Sequence, residues 1–586
     1  MKQDLHAAFH ESSRPDLALI TNHGYAGVDI PFGGAPDTGG QNMYVNALAR
    51  AFDALGYRVT VFARGGFPFF ESERVRKDPE YLTEHVRYIF VPGGGESFIR
   101  KEDIAVALDE QVEWLDAFVR AEAAERGCRP WEVYELWNTH YWDAAVMGMQ
   151  LTERWRDDVV ADAFTTLLTG TIPQEQLERV RRERHGRALG EAPAYHLGME
   201  LRESFGTLAT SLVERARLAA AKWVEVFRPE GDTTVDHLAG DVAETLDAKE
   251  EKVPKALWLM VAAQALGDAL LKASGKVGEQ LDRDLRAADR HVWTPHSLGA
   301  LKEDNFRDKP SEVVRPLKFC ERRNHERAVC DRTLAFAATS VEIGERLRTS
   351  YRVPQERIFY FPPCVDRSVF RKHKDEEVES TYRYLAEVSG VPAEDLKAGR
   401  IVFETSRMDQ TKRKDLLLDA FRQVATTCPD AFLFIGGGPE KELHGALTAR
   451  RDEHPELRGR AFLTGFIPDE HIGPLFSVAD VYASASEMEG FGMSVLQATA
   501  ADTAVVCSDL IPFAIQYVAD TAIIVPAGDA DGFARAIAGL LQNDADRTRR
   551  AQLLSEKAKE FDWEVRAADF LDYVRRCGFK VKPASV

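Results

Sequence analysis

The stretch 484–500, SASEMEGFGMSVLQATA, has residue types and spacing suited to a ligand carrying both phosphate and hydroxyl groups. The apolar run 478–482 (VADVY) before it reads as a short buried strand, Glu487-Met-Glu-Gly-Phe-Gly492 as a loop, and 493–500 as an apolar helix. The first N–H groups of a helix have no partner inside it, so strand, glycine loop and helix start in this order make an anion site. Glu489 stands where those amides point, and a carboxylate there accepts hydrogen bonds from hydroxyls. A nucleotide sugar offers both groups. The competing reading is an ordinary strand–loop–helix joint with solvated acids.

Other segments carry comparable chemistry. Arg407, Lys412, Arg413 and Lys414 follow the strand-like run 401–404, and four cations together in a chain of net charge −19 mark a local anion site. The loop 33–41 (GGAPDTGGQ) lies between a strand at 17–21 and a helix at 42–55, with a second strand at 58–63, which makes a βαβ unit. It lacks the G-x-G-x-x-G spacing of nicotinamide cofactors; Gly39 and Gly40 let backbone approach a ligand, unless they only make a tight turn, and Gln41 points to the same place. Arg100 and Lys101 form a basic pair, solvated or phosphate-binding, and His140 sits in Asn138-Thr-His-Tyr-Trp-Asp143. His296 and Lys302 share the loop 295–302, and Arg322 and Arg323 are adjacent on a helix, so only one of them reaches any one site.

These segments need a frame. At 586 residues the chain exceeds a single core and divides into two or three domains. Its 45% hydrophobic and 29% charged residues describe a soluble globular protein, and the acidic balance argues against nucleic acid as a partner. Seven cysteines without a C-x-x-C pair fit reduced thiols better than disulfides or zinc. The polar N-terminus lacks a signal core, and the longest apolar run, 256–271, is short for a membrane span and contains Asp268, so the expected location is cytoplasmic with no membrane partner. Strand-like and helix-like runs alternate through 1–150, resume at 291–365, and recur at 399–560; 366–398 reads as a linker and 561–586 as a closing helix. Residues 151–290 instead show helical spacing (Leu201, Phe205, Leu208, Leu212) and read as an all-α insertion, a possible route to homo-oligomers. The fold class is α/β with two Rossmann-like domains facing across a cleft.

The motifs resemble those of retaining glycosyltransferases of the sucrose synthase and sucrose-phosphate synthase type, which have the GT-B fold. The shared pieces, in chain order, are Pro36-Asp-Thr-Gly-Gly-Gln41, the segment ending at Lys101, the His140 turn, His296-Ser-Leu-Gly-x-x-Lys302, the Arg322-Arg323 pair, Arg407 with Lys412, and Glu489-Gly-Phe-Gly492. Two departures lie on the donor side. Gln497 replaces the family's second Glu, and Asp509-Leu-Ile-Pro512 replaces a Gly-Gly-Pro.

The resemblance implies catalytic roles for His296, Arg407, Lys412 and Glu489. It implies donor contacts from Gly40, Gly437, Phe491, Gly492, Met493, Ser494 and Gln497, and acceptor contacts from Gly39, Gln41, Lys101, His140, Lys302, Arg322 and Arg323. It further implies transfer of a hexose, with UDP-glucose the expected donor, to a small phosphorylated sugar, with no metal or other cofactor. Two alternatives stand beside it: the same fold with an unphosphorylated acceptor, as in sucrose synthase, and a catalytically reduced scaffold acting through its insertion.

Overall fold

The computed structural model describes residues 2–30, 37–38, 40–171, 283–307, 309–438 and 441–583. Two parallel-sheet α/β domains of the GT-B type make up the fold. Most of the segment 151–290, expected to be a helical insertion, lies outside the described residues, as does Gly39.

The first sheet has eight strands in the order β3-β4-β2-β1-β5-β6-β7-β8. These are β1 (Asp16–Thr21), β2 (Arg58–Arg64), β3 (Glu80–Thr83), β4 (Val86–Val91), β5 (Leu136–His140), β6 (His291–Thr294), β7 (Ala335–Ala338) and β8 (Ile358–Tyr360). Only β3 runs antiparallel to its neighbour. β1, β2, β4 and β5 are buried at every position, as strands covered by helices on both faces must be.

The second sheet has six parallel strands in the order β11-β10-β9-β12-β13-β14. They are β9 (Arg400–Thr405), β10 (Ala431–Gly436), β11 (Ala461–Gly465), β12 (Val481–Ser484), β13 (Ala504–Ser508) and β14 (Ile523–Val525). β12 starts later than the sequence suggests. Val478 closes the helix Asp469–Val478 instead, and the Asp480 carboxylate between them accepts a 2.8 Å bond from the amide of Ile401, the second residue of β9.

Winding reverses once in each sheet, between β1 and β5 and between β9 and β12. At such a point the loops leave to opposite faces and open a crevice at the carboxyl ends of the strands, where α/β proteins bind ligands.

Two chain crossings join the domains side by side. The amide of Val365, on the way out, donates to Phe561 O at 2.8 Å, on the way back. The returning helix Trp563–Arg576 buries Ala567, Phe570, Leu571 and Val574 in the core of the first domain against Val45, Phe52 and Phe361. The helices Asp375–Ser389 and Ala393–Ala398 pack Leu385 and Leu396 into the core of the second domain. No helix of the described residues is long and apolar enough to cross a membrane.

Beneath the second crevice, Lys414 pairs with Glu404 of β9, their side chains 1% and 2% exposed. The same ammonium donates to Ser406 O at 3.2 Å and Gly436 O at 2.7 Å, tying the ends of β9 and β10 together. Removing one partner of such a pair strands a buried charge. Lys414→Met is expected to destabilise the protein by about 3–5 kcal/mol in urea unfolding; a loss under about 1 kcal/mol would contradict the structural role.

Candidate functional site

At the second crevice, the loop after β9 supplies Arg407 and Lys412 and the loop after β12 supplies Glu489. Lys412 is the bridge between them. Its side chain is 6% exposed, and its ammonium pairs with Glu489 Oε1 at 2.7 Å and donates to Met488 O at 2.9 Å. The loops are zipped further by Glu487 N to Thr411 O at 2.8 Å and by the Arg413–Glu487 ion pair. Arg407 is left reaching outward, 75% exposed, and among the described residues its one ion-pair partner is Asp409 at 3.4 Å. The four-cation cluster of the sequence thus separates: Lys414 is structural, Arg413 is held by Asp415 and Glu487, and Arg407 and Lys412 remain at the crevice.

The helix Met493–Ala500 starts beside this pair. Gly492, at its N-cap, has φ 106°, and a Cβ there would lie 2.4 Å from Ile511 Cγ2, so glycine is required. Gly437 is fixed by a similar constraint, a Cβ meeting Ser406 O at 2.6 Å. Met493, Ser494 and Gln497 are half-buried on one helical face. Phe491 differs from expectation. Its ring packs against Phe513 at 5.5 Å and Phe561 at 6.3 Å, so only its backbone is free to face a ligand.

At the first crevice, His296 follows β6 and stacks on His140, the last residue of β5, with His140 Nδ1 3.1 Å from His296 Nε2. His140 is completely buried and its Nε2 has no hydrogen-bond partner. An orphan lone pair is tolerated better than an orphan N–H, so the proton belongs on His140 Nδ1, and His296, accepting at Nε2, carries its own on Nδ1. His140 therefore orients His296 and does not touch an acceptor. Tyr44 packs edge-on against His296 at 4.8 Å, and Trp563 of the returning helix packs edge-on against Tyr44 at 4.8 Å.

Beside the histidines stands Tyr141, a non-glycine residue at φ 77°, a backbone conformation that costs of order 1–3 kcal/mol. Its carbonyl accepts from Trp293 Nε1 at 3.0 Å, and its hydroxyl accepts from Arg322 at 2.6 Å and Lys302 at 3.0 Å. Arg322 is buried and paired with Glu326 at 2.7 Å. Arg323 points away to Glu303 at 2.5 Å. Lys101 is engaged by Asp37; burial opposes its charge, but the Asp37 bond outweighs this and raises its pKa. Lys302 alone of these four has no carboxylate partner among the described residues. Gln41 Nε2 donates to Thr21 Oγ1 at 3.2 Å and His140 O at 3.4 Å, while a Cβ at Gly40, at the start of the helix Gly40–Ala54, would meet none of the described residues within 4 Å.

Residues 393–561 match the family model described as glycosyl transferases group 1. They form a group 1 glycosyltransferase domain. Both switch-point residues Arg407 and Glu489 fall inside it. The chain is 23% identical over 503 residues to mannosylfructose-phosphate synthase from Agrobacterium fabrum, covering 83% of this chain and 75% of that one. It is 32% identical over 202 residues to phosphatidyl-myo-inositol mannosyltransferase from Mycolicibacterium smegmatis, covering 33% of this chain and 50% of that one. Among solved structures, sucrose-phosphate synthase from Thermosynechococcus elongatus superposes with a TM-score of 0.54 at 18% identity, over 96% of this chain and 99% of that one, a likeness of fold.

Several site residues lay outside the sequence reading. His23, just after β1, places Nδ1 3.1 Å from the fully buried Asp143 and packs its ring on Tyr141 at 4.3 Å. Its position immediately after an apolar strand was the available signal, the same one that marks Arg407. Tyr44, Tyr141, Glu326 and Trp563 carried none. Two Asp-x-Asp spacings in the group 1 domain are spent internally: Asp529 caps a helix through Gly532 N at 2.8 Å, and Asp544 and Asp546 pair with Arg547 and Arg550. Among the described residues no cluster of three or more His, Cys, Asp or Glu is placed to hold a metal ion.

Burial depresses the pKa of His140 and of His291 to about 3, and that of His296 well below its ordinary value, with His140 and His23 adding to the effect there. The unfolded histidines take up protons below about pH 6.5 while the folded ones stay neutral, so this stability is full above that pH and is lost as pH falls. Between pH 7.5 and 5.5 each of His140 and His291 should cost about 1.4 kcal/mol. Urea unfolding at the two pH values is expected to show this loss, and His291→Gln to reduce it by about 1.4 kcal/mol; an unchanged pH dependence in that variant would contradict the assignment.

Proposed function

We propose that the chain is a retaining hexosyltransferase moving a hexose, glucose from UDP-glucose as first expectation, from a nucleoside diphosphate sugar to a small phosphorylated sugar in the cytoplasm. The observation that carries the phosphorylated acceptor is Lys302. In a chain with 94 acidic residues, its ammonium meets, among the described residues, only Tyr141, whose hydroxyl also accepts from Arg322, itself bonded to Ser297 O beside His296 in sequence. An anion placed there gains the Lys302 ammonium as a charge-assisted partner, with the charge of Arg322, held by Glu326, Tyr141 and Ser297, behind it. The product named for the relative mannosylfructose-phosphate synthase supports the same acceptor class.

In this reading the diphosphate lies at the start of the helix Met493–Ala500, against Arg407 and near Lys412. Glu489, fixed by Lys412, accepts hydrogen bonds from donor sugar hydroxyls, and Met493, Ser494 and Gln497 face the nucleotide. Gln497 takes the place of a ribose-binding carboxylate with one acceptor oxygen and an NH₂. The bond from the anomeric carbon to the leaving phosphate oxygen breaks, the acceptor hydroxyl bonds on the same face, and its proton passes to that phosphate oxygen. Arg407 and Lys412 stabilise the growing charge, an effect of several kcal/mol. His296 Nδ1–H holds a sugar oxygen at the reacting centre. No protein nucleophile, metal or cofactor enters a step, and closure about the paired crossings excludes water.

The test is release of nucleoside diphosphate from UDP-, GDP- and ADP-sugars with hexose 6-phosphates and free hexoses as acceptors. Lys302→Ala is the cleaner variant, since Arg322→Ala would leave Glu326 buried without its cation. It should raise KM for the sugar phosphate about tenfold or more, equivalent to 1.4 kcal/mol, with kcat changed less than about threefold. Equal KM values for phosphorylated and free sugars would favour the unphosphorylated acceptor. Absence of turnover with every donor would favour the scaffold.

A further inference from the structure

On the β4 side of the first switch point, a wide, open surface cavity of about 590 Å³ lies between the loops that follow β1, β2 and β4. That size lies within the range of small-molecule sites. Its wall is aromatic. Tyr25 stacks on Phe98 with centroids 5.1 Å apart and planes 6° apart, and meets Phe70 edge-on at 5.6 Å. Its rim carries the exposed carboxylates Glu71, Glu73 and Glu96, none of them ion-paired among the described residues, and no lysine or arginine lines it. Tyr25, 7% exposed, lines the cavity, and among the described residues its hydroxyl has no hydrogen-bond partner.

This composition selects a ligand class. A phosphate or carboxylate would meet three negative charges and no cation. A quaternary ammonium suits aromatic walls, but the Arg76 guanidinium already lies 3.7 Å over the Phe69 ring, fixed by bonds to Ala26 O at 2.8 Å and Asp29 O at 3.1 Å. Arg76, itself paired with Glu80, takes one face of Phe69, and Tyr25 and Phe98 cover one face of each other, so the rings do not enclose a cation. A neutral saccharide fits both halves: its C–H face lies against the rings, and its hydroxyls donate to the carboxylates and accept from the Tyr25 phenol.

We propose that this cavity is a binding site for a neutral saccharide unit, continuous with the acceptor side of the first domain. Tyr25 stands two residues after His23, and Phe98 three residues before Lys101, whose ion pair with Asp37 joins the β1 and β4 loops. Its use for acceptors larger than a monosaccharide phosphate rests on the proposed transferase reading. The saccharide site itself does not.

Calorimetric titration of the full chain with maltotriose and with mannotriose tests it without turnover, UDP being titrated in parallel. Saturable binding of at least one trisaccharide at millimolar Kd is expected, weakened about tenfold or more by Phe98→Ala and measurably by Tyr25→Phe and Glu96→Gln. UDP binding should be the same in all variants as in the unaltered chain. No saturation by either trisaccharide up to about 20 mM would overturn the proposal. So would binding indifferent to Tyr25→Phe and Glu96→Gln, or tetramethylammonium competing for the cavity. Trisaccharide binding that behaves as expected in a protein transferring no sugar would sink the transferase reading and leave the site standing.

Discussion

The ammonium of Lys412 holds the second crevice in one shape. Two loops leave β9 and β12 on opposite sides of a winding reversal, and nothing in the sheet itself fixes one against the other. Lys412 reaches across the gap and places its charge, almost wholly buried, on Glu489 and the Met488 carbonyl. A buried charge is tolerated only with its partner in place, so the loops cannot separate without stranding both ions. The crevice is therefore preformed, with a fixed carboxylate on one wall and the unsecured guanidinium of Arg407 on the other. Fixed polar groups of this kind stabilise developing charge without reorganising first.

The first domain repeats the design with different residues. Its reversal lies between β1 and β5, and His23, His140 and, one strand further, His296 rise from that carboxyl edge. Burial keeps His140 neutral, which lets it act as a hydrogen-bonding strut behind His296 and adds no charge of its own. The rings of Trp563, Tyr44 and His296 form a continuous contact from the returning helix to this crevice. Val365 and Phe561 bring both chain crossings to one place, and the Tyr360 and Tyr517 hydroxyls meet across the domains. A hinge movement there acts on the same helix that supports His296.

Legibility in the sequence followed the physics of each residue. Parallel strands buried on both faces are continuous apolar runs, so most strands of both domains were readable, and with them the loops at their carboxyl ends. That pattern put Arg407, Lys412, Glu489 and His296 in loops after strands, and the family resemblance implied their roles. Side-chain direction was not readable. His140 and Lys101 have the right types for acceptor contacts, yet one is packed behind His296 and the other is held by Asp37. Lys414 looked equivalent to Lys412 two residues away, and only its contacts with Glu404 and Gly436 reveal a structural role. Val478 shows the limit for short apolar runs, which helix ends and strand starts share. The Tyr141 partner of Arg322 and the Asp143 partner of His23 come from segments more than a hundred residues away, beyond the reach of local pattern.

Binding of a nucleoside diphosphate at Arg407 tests the central claim most directly, because this side chain is exposed and its removal leaves the Lys412–Glu489 pair intact. Titration of UDP, GDP and ADP into the unaltered chain and into Arg407→Ala should show one nucleotide binding well above the others. The variant should bind it about tenfold more weakly, a loss near 1.4 kcal/mol, at an unchanged thermal midpoint. Equal affinity in both proteins, or no binding of any of the three, would contradict a donor site at this crevice.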